Sequence, residues 1–330
     1  MTAVRAAARP ALTAWAVTSG EDGMRTQARG LAQAVAGVVI EKTIEARSPW
    51  TWLTSLGAGP LAAPLADGAF APPWPDLLVT CGRRSVSLSM AVRAASNRRC
   101  LTVHIQDPRA APDAFDLVVA MDHDRIAAGP GVIKVATALH DLTSKSLKAE
   151  ADIWRPRLAP LGRPLVGVII GGDLKGRPFT LGDAQKLLAG LTRLRRDAGV
   201  SLAVTPSRRT PPAVRALLIE AFRGDPKVFL WDLAGANPYL AILALADRLV
   251  VTSDSVSMVS EAISTPHPVE VFDLGFARHA GFLAALVASG RVRPFEGDPA
   301  PPKSSEPVNA TIEVAAVVRS MLQRRTGVVG

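Results

Sequence analysis

The stretch Arg248-Leu-Val-Val-Thr-Ser-Asp-Ser-Val-Ser-Met-Val-Ser-Glu-Ala262 decides how the rest of the chain is read. Arg248–Thr252 is an apolar run rich in valine, with the character of a buried β-strand. Two small polar residues, Ser253 and Asp254, follow it, and residues 255–264 then carry apolar side chains at helical spacing. A buried strand that passes through a short polar turn into a helix is one half of a β-α-β unit, the building block of a parallel sheet. The helix is expected to start near Ser255, leaving the N–H groups of Val256 and Ser257 able to hold an anion. Glu261 lies four residues beyond Ser257, on the same face and about 6 Å further along the axis. A nucleotide with its phosphate at that helix start would bring its ribose to this carboxylate. Asp254 stands against such an occupant, because it is an excellent N-cap and puts a negative charge in the same place.

Outward from this unit the same alternation fills the chain. Strand-like runs at 12–18, 38–44, 76–81, 100–106, 115–121 and 132–136 form one series. A second series runs through 164–170, 201–205, 227–231, Arg248–Thr252 and Val269–Phe272. Helical patterns lie between them at 24–35, 180–198, 211–222, 237–246 and 255–264, and a last one at 311–324. Apolar strands alternating with amphipathic helices make an α/β fold, and 330 residues suffice for two such domains. Pro156, Pro160 and Gly162 interrupt the helical pattern of residues 149–162, which reads as the connector. The expected division is therefore 1–155, 156–310 and a C-terminal helical segment, 311–330, that packs back on the first domain. The natural architecture is two Rossmann-like parallel-sheet domains facing across a cleft, with ligands at the carboxyl ends of the strands.

Composition narrows the partners. Apolar residues make up 48% of the chain and charged residues 20%, enough to bury two cores and incompatible with disorder. Mean hydropathy is +0.21, yet no apolar run approaches the 18 or so residues that span a bilayer. The two cysteines, Cys81 and Cys100, are separated by 18 residues and form no metal-binding motif, in keeping with a reducing compartment. The mildly apolar residues 10–17 read as a first strand rather than as a signal peptide, so the mature protein is expected to start at or near Met1. Basic residues outnumber acidic ones by 38 to 29, a net charge of +9, with +3 in residues 1–150 and +6 in 151–330. Such an excess suits nucleic acid, an anionic membrane surface or a phosphorylated small molecule. No lysine-rich tail, zinc-finger spacing or RNA-binding aromatic signature is present, so no nucleic-acid partner is expected. Only 8 of the 38 basic residues are lysine, a bias that suits phosphate forks and equally a GC-rich genome.

Three further loops fall at strand ends. Ser19-Gly-Glu21-Asp22-Gly-Met24 contains two glycines and is either a tight turn alone or part of a binding site; it lacks the G-x-G-x-x-G dinucleotide spacing. In Gly171-Gly172-Asp-Leu-Lys175-Gly-Arg177 the glycine pair lets a ligand approach the backbone, and Lys175 and Arg177 can reach phosphate oxygens. The Walker spacing is absent, which argues against ATP hydrolysis. In Pro206-Ser207-Arg208-Arg209-Thr210 the arginine pair is a diphosphate clamp or a solvated basic turn, with Thr210 as N-cap and Pro211 opening the helix. Asn237-Pro238-Tyr239 reads as another helix start, with Asn237 as N-cap, Pro238 at the first helical position and Tyr239 packing or lining the cleft.

With these residues in place, the chain resembles bacterial members of the mitochondrial fission ELM (elongated mitochondria) family. The resemblance rests on Gly20-x-x-Gly23-x-x-x-Gln27, Pro75-Asp76, Gly82-Arg83-Arg84, Gln106-Asp107-Pro108-Arg109, Phe115-Asp116 and His123-Asp124 in the first half. In the second half it rests on Gly171-Gly172-Asp173, residues 205–210, Asn237-Pro238-Tyr239, Ala246-Asp247 and residues 251–262, Asp254 included. The family is in turn similar to the GT-B glycosyltransferases that build peptidoglycan lipid II and lipid A disaccharide. That resemblance implies a GT-B fold, phosphate contacts at 253–257 through Ser253, Asp254, Ser255 and Ser257, and a ribose contact at Glu261. It implies further diphosphate contacts near Lys175, Arg177 and Arg208; Gly171, Gly172, Ser207, Arg209 and Asn237, from the loops read above, complete the candidate nucleotide- and phosphate-binding set. The substrate implied is a nucleotide-sugar, with no metal or other cofactor, and a lipid-linked acceptor or an anionic membrane surface as partner. The setting implied is cytoplasmic, peripheral on the inner membrane. The chain departs from the pattern at Met24, where the peptidoglycan enzyme has a histidine. Methionine cannot accept a proton, so Glu21, Asp22 and Asp107 are the candidate general bases. The plant relative's association with the fission machinery implies an alternative, a non-catalytic adaptor, and a nucleotide-sugar 2-epimerase would share the fold. Trp50, Trp52, Leu53 and Leu56 are either an interfacial patch for a lipid acceptor or core residues.

Overall fold

The computed structural model describes residues 11–44, 68–174 and 176–325; Trp50, Trp52, Leu53, Leu56 and Lys175 lie outside them. The chain forms two compact units, Met1–Asp141 with Asn309–Gly330, and Leu142–Val308.

The first unit runs β1 (Thr13–Thr18), α1 (Asp22–Val35), β2 (Val38–Thr43), β3 (Leu77–Cys81), α2 (Val86–Ala95), β4 (Leu101–Ile105), β5 (Leu117–Met121) and β6 (Val132–Val135). Its sheet has the order β2-β1-β3-β4-β5-β6, and every ladder is parallel. Every residue of β3 and β4 is buried, because helices cover both faces; this is why these strands read as unbroken apolar runs. On one face Ala28, Leu31 and Ala32 of α1 meet Val314, Ala315 and Val318 of the C-terminal helix. On the other, Trp15, Val17 and Leu78 pack on Leu88 and Val92 of α2.

The second unit runs α3 (Ser144–Leu158), β7 (Leu165–Ile170), α4 (Leu181–Ala198), β8 (Ser201–Pro206), α5 (Pro212–Ala221), β9 (Val228–Leu230), α6 (Tyr239–Leu245), β10 (Arg248–Thr252), α7 (Val256–Ile263), β11 (Val269–Phe272), α8 (Ala280–Ala288) and β12 (Arg293–Pro294). The chain then returns to the first unit as α9 (Ala310–Arg325), which packs on α1 and anchors Arg325 on Asp116 at 2.6 Å. The second sheet is also wholly parallel, in the order β12-β11-β10-β7-β8-β9.

Two features differ from the sequence expectation. The division falls at Asp141/Leu142 rather than at 155/156. Residues 144–158 are one helix, started by a reciprocal Thr143–Ser146 cap, and Pro156 sits in its last turn without ending it. Its buried Trp154 packs edge-on against Phe229 at 5.8 Å, which commits the whole helix to the second unit. Helices α2 and α8 were not expected. The first is buried around most of its circumference and the second is apolar on all sides, so neither shows the one-sided spacing that marks a helix in sequence.

Each sheet reverses its strand order once, between β1 and β3 in the first unit and between β7 and β10 in the second. Such a switch point opens a crevice at the carboxyl edge, where ligands of open parallel sheets bind.

Candidate functional site

In the second unit the expected loops meet at the switch point. The register pairs Ile170 with Pro206 and Ile169 with Val251, so β7, β8 and β10 end at nearly one level. The loop after β10 then differs from its sequence reading. Ser255, not Asp254, caps α7: its Oγ accepts from the Met258 N–H at 3.3 Å. Asp254 turns inward and is only 2% exposed. One of its oxygens accepts from the Gly172 N–H at 2.9 Å and from the Arg209 guanidinium at 2.8 Å. The other accepts from the Thr252 hydroxyl at 2.6 Å. The negative charge that seemed to oppose a phosphate at the helix start is therefore neutralised by Arg209 and withdrawn into the crevice.

This carboxylate explains the glycine pair. A Cβ at Gly171 would lie 2.0 Å from an Asp254 oxygen, and one at Gly172 would lie 2.0 Å from the Arg209 carbonyl oxygen. The two glycines are required by the packing of three loops on one another, before any ligand is considered. Thr252 Oγ1 also accepts from the Gly171 N–H at 2.8 Å. Thr210 is no N-cap: its Oγ accepts from the Ser207 N–H at 2.9 Å and its hydroxyl donates to Gly171, while Pro211 takes the cap position and Pro212 opens α5.

The basic residues divide accordingly. Arg209 is committed to Asp254 and, at 3.1 Å, to the Asp173 carbonyl. Arg177 forks onto Asp183 at 3.0 and 3.1 Å. Burial pulls the Asp183 carboxyl up, but the bonds from Arg177 and Thr180 outweigh it and hold it below its ordinary value. Arg208 and Arg209 are both exposed, and Arg209 braces the loops through Asp254 and Asp173. Ser207, half-buried, accepts from the Arg209 N–H at 3.2 Å.

Ser253 is a brace as well. Its hydroxyl donates to Asp273 at 2.9 Å and accepts from the Leu274 N–H at 2.8 Å, and its carbonyl meets His279 Nδ1 at 2.9 Å. What remains for an anion is the first turn of α7, where half-buried Ser257 lies and the amides of Val256 and Ser257 meet no acceptor among the described residues. One turn on, Glu261 is 7% exposed and accepts a hydrogen bond from the Tyr239 hydroxyl. Asn237 is exposed and its Oδ1 accepts from the Tyr239 N–H at 3.0 Å; Pro238 occupies the cap position and α6 begins at Tyr239, one residue later than expected.

At the first unit's edge, Glu21 precedes α1 without capping it by its side chain, accepts from the Ser19 hydroxyl at 2.6 Å, and lies 3.7 Å from Arg84. Asp22 is in the first turn of α1. Met24 packs over Gly82, whose φ of +86° only glycine adopts readily; a Cβ there would lie 2.5 Å from the Met24 sulfur. Asp107 accepts from the Arg109 N–H at 2.8 Å, between Gln106 and Arg109, both with positive φ (81° and 51°). The segments that follow β1 and β4 thus carry all three candidate bases on one sheet edge. Sequence reasoning did not anticipate the bracing roles of Thr210, Thr252, Asp273 and His279. Nothing in their spacing marks them, since each acts across loops remote in the chain.

Two wholly parallel six-stranded sheets, each with a switch point, define the GT-B fold. Solved structures agree. UDP-GlcNAc 2-epimerase from Methanocaldococcus jannaschii superposes with a TM-score of 0.60 at 9% identity, over 94% of this chain and 99% of that one. The Neisseria meningitidis enzyme bound to UDP-GlcNAc gives 0.52 at 13% identity, over 96% and 93%. Within this class the chain belongs to the mitochondrial fission ELM1 family, whose model matches residues 22–322. Mitochondrial fission protein ELM1 of Arabidopsis thaliana is 31% identical over 277 residues, 76% of this chain and 65% of that protein's length. Among the described residues no helix is long and apolar enough to cross a membrane.

Proposed function

We propose that this chain binds a nucleotide-sugar at the carboxyl edge of its second unit and transfers the sugar to an acceptor hydroxyl. One observation carries the reading: the α7 start offers the Val256 and Ser257 amides at a switch point, with the Glu261 carboxylate one turn along. Amides there suit the diphosphate, helped by the positive helix end and by Arg208. Glu261 suits ribose hydroxyls. The Asp254–Arg209 pair, with its carboxylate buried, supports this by holding three loops in place before a ligand arrives, so little ordering remains to be done on binding.

In transfer, the acceptor oxygen bonds to the anomeric carbon and the bond from that carbon to the phosphate oxygen breaks. The nucleoside diphosphate leaves with the electron pair, and its charge is stabilised by the α7 amides. The hydroxyl proton goes to a carboxylate; Glu21, Asp22 and Asp107 are the groups suited to receive it. The net charge of +9 supports an acceptor presented at an anionic membrane surface. Isothermal titration calorimetry with UDP-, GDP- and CMP-linked sugars tests the binding. Micromolar to millimolar affinity that weakens at least tenfold in Glu261→Ala is expected, and no binding of any of the three refutes the reading.

One observation favours a second reading, a non-catalytic adaptor of the same shape. Met24, at the place where a base would serve, is packed on Gly82. Nucleotide binding without turnover, whatever acceptor is offered, would select it.

A further inference from the structure

We propose that Tyr239 is a positioning residue: it fixes the Glu261 carboxylate for a ribose cis-diol and makes the site select ribonucleoside over 2′-deoxyribonucleoside diphosphates. This rests on the reading above, that a nucleoside diphosphate occupies the α7 start.

The argument begins with the contact itself. A carboxylate only accepts, so the Tyr239 hydroxyl is the donor in its bond to Glu261 Oε2. An ionised carboxylate has about four lone-pair sites, and the tyrosine takes one. The tyrosine is itself set from behind, by the Asn237 Oδ1 bond to its amide at 3.0 Å and by Pro238 at the start of α6. The terminal torsion of a glutamate is broad and weakly restrained by itself, so a fixed phenol bonded to one oxygen restrains how the carboxylate is presented.

The ligand chemistry follows from charge and distance. The negative charge of Glu261 repels a phosphate and favours O–H donors. It lies one turn, about 6 Å along the axis, from the amides suited to the phosphate. At that remove a nucleotide offers its ribose hydroxyls. Two adjacent hydroxyls can both donate to a carboxylate whose orientation is fixed, whereas a 2′-deoxyribose offers one. Each such bond to a charged acceptor is worth about tenfold in affinity.

Tyr239 is the single tyrosine of the chain. Biosynthetic 3-fluorotyrosine labelling therefore places one 19F resonance at this contact in the full, unsubstituted sequence. Titration with UDP and GDP should shift it saturably, at concentrations about tenfold lower than with the 2′-deoxy counterparts. By calorimetry, Tyr239→Phe should reduce that tenfold preference to threefold or less, chiefly by weakening the ribonucleotides. The preference is a ratio within one sample, so partial loss of folded protein cannot imitate its collapse. Equal response to ribo and deoxy ligands, or a Tyr239→Phe protein that keeps the full preference, overturns the inference while nucleotide binding stands. Failure of the unsubstituted protein to bind any of the four overturns the inference together with the reading beneath it.

Discussion

The carboxyl edges of the two sheets are built differently. In the second unit, buried side chains tie the edge loops to one another: Asp254 to Gly172 and Arg209, Thr210 to Gly171, Ser253 to Asp273. In the first unit, the loops after β1 and β3 meet through Met24 on Gly82, and the charged side chains there, Glu21 and Arg84, are about half exposed. A braced edge holds a fixed constellation of amides ready for a ligand. An edge with exposed acids and bases leaves groups able to change partners as charge moves. The difference teaches that Gly171, Gly172, Arg209 and Asp254 build a braced edge, the one on which the binding site is proposed, while the carboxylates proposed for proton transfer lie on the other unit.

The largest expected effect breaks the brace. Asp254→Ala leaves the Gly172 amide buried and unpaired and takes away the partner of Arg209. It should cost about 2–3 kcal/mol in chemical denaturation. A loss below about 1 kcal/mol would show that the loops hold without it.

Acid should next act on the first unit's interior. Burial lowers the imidazole of His104 to about 3 and that of His140 to about 4, from an ordinary 6.5. The unfolded chain therefore takes up these protons first. The stability associated with neutral imidazoles is complete above pH 6.5 and declines as pH falls toward 4. Thermal midpoints across that window should fall, and His104→Gln should make the fall shallower.

Gly82→Ala probes the looser contact. The positive φ and the nearby sulfur together should cost about 2 kcal/mol. Met24→Ala in the same chain should recover part of it, measured as a double-mutant coupling; additive losses would mean that the two residues do not meet. The smallest effect is expected for Glu21→Gln, under about 1 kcal/mol in stability, because its ion pair with Arg84 is exposed. Its effect on transfer should be far larger than its effect on folding, if Glu21 is the base.

Much of the fold was legible in sequence. Arg248–Thr252 and Val269–Phe272 were read to the residue, because strands buried on both faces are unbroken apolar runs between polar turns. The loops bearing Gly171, Arg209 and Asp254 were legible too, since each follows such a strand. Their joint purpose was not. Asp254 is 82 residues from Gly172 and 45 from Arg209, and an aspartate before a helix has the same local signature whether it caps the helix or turns inward. Likewise Tyr239 and Glu261, 22 residues apart, meet only because α6 and α7 flank one strand. Sequence pattern reports periodicity and local geometry; which remote polar groups neutralise one another is settled by sheet order.

The central claim, that the second unit's braced edge holds a nucleoside diphosphate, is tested most directly by a crystal structure of the chain soaked with UDP or GDP. The account predicts phosphate oxygens within hydrogen-bonding distance of the Val256 and Ser257 amides, ribose hydroxyls on Glu261, and Asp254 still bonded to Gly172 and Arg209. A nucleotide bound elsewhere, or one whose phosphate displaces Asp254 from Arg209, would contradict it.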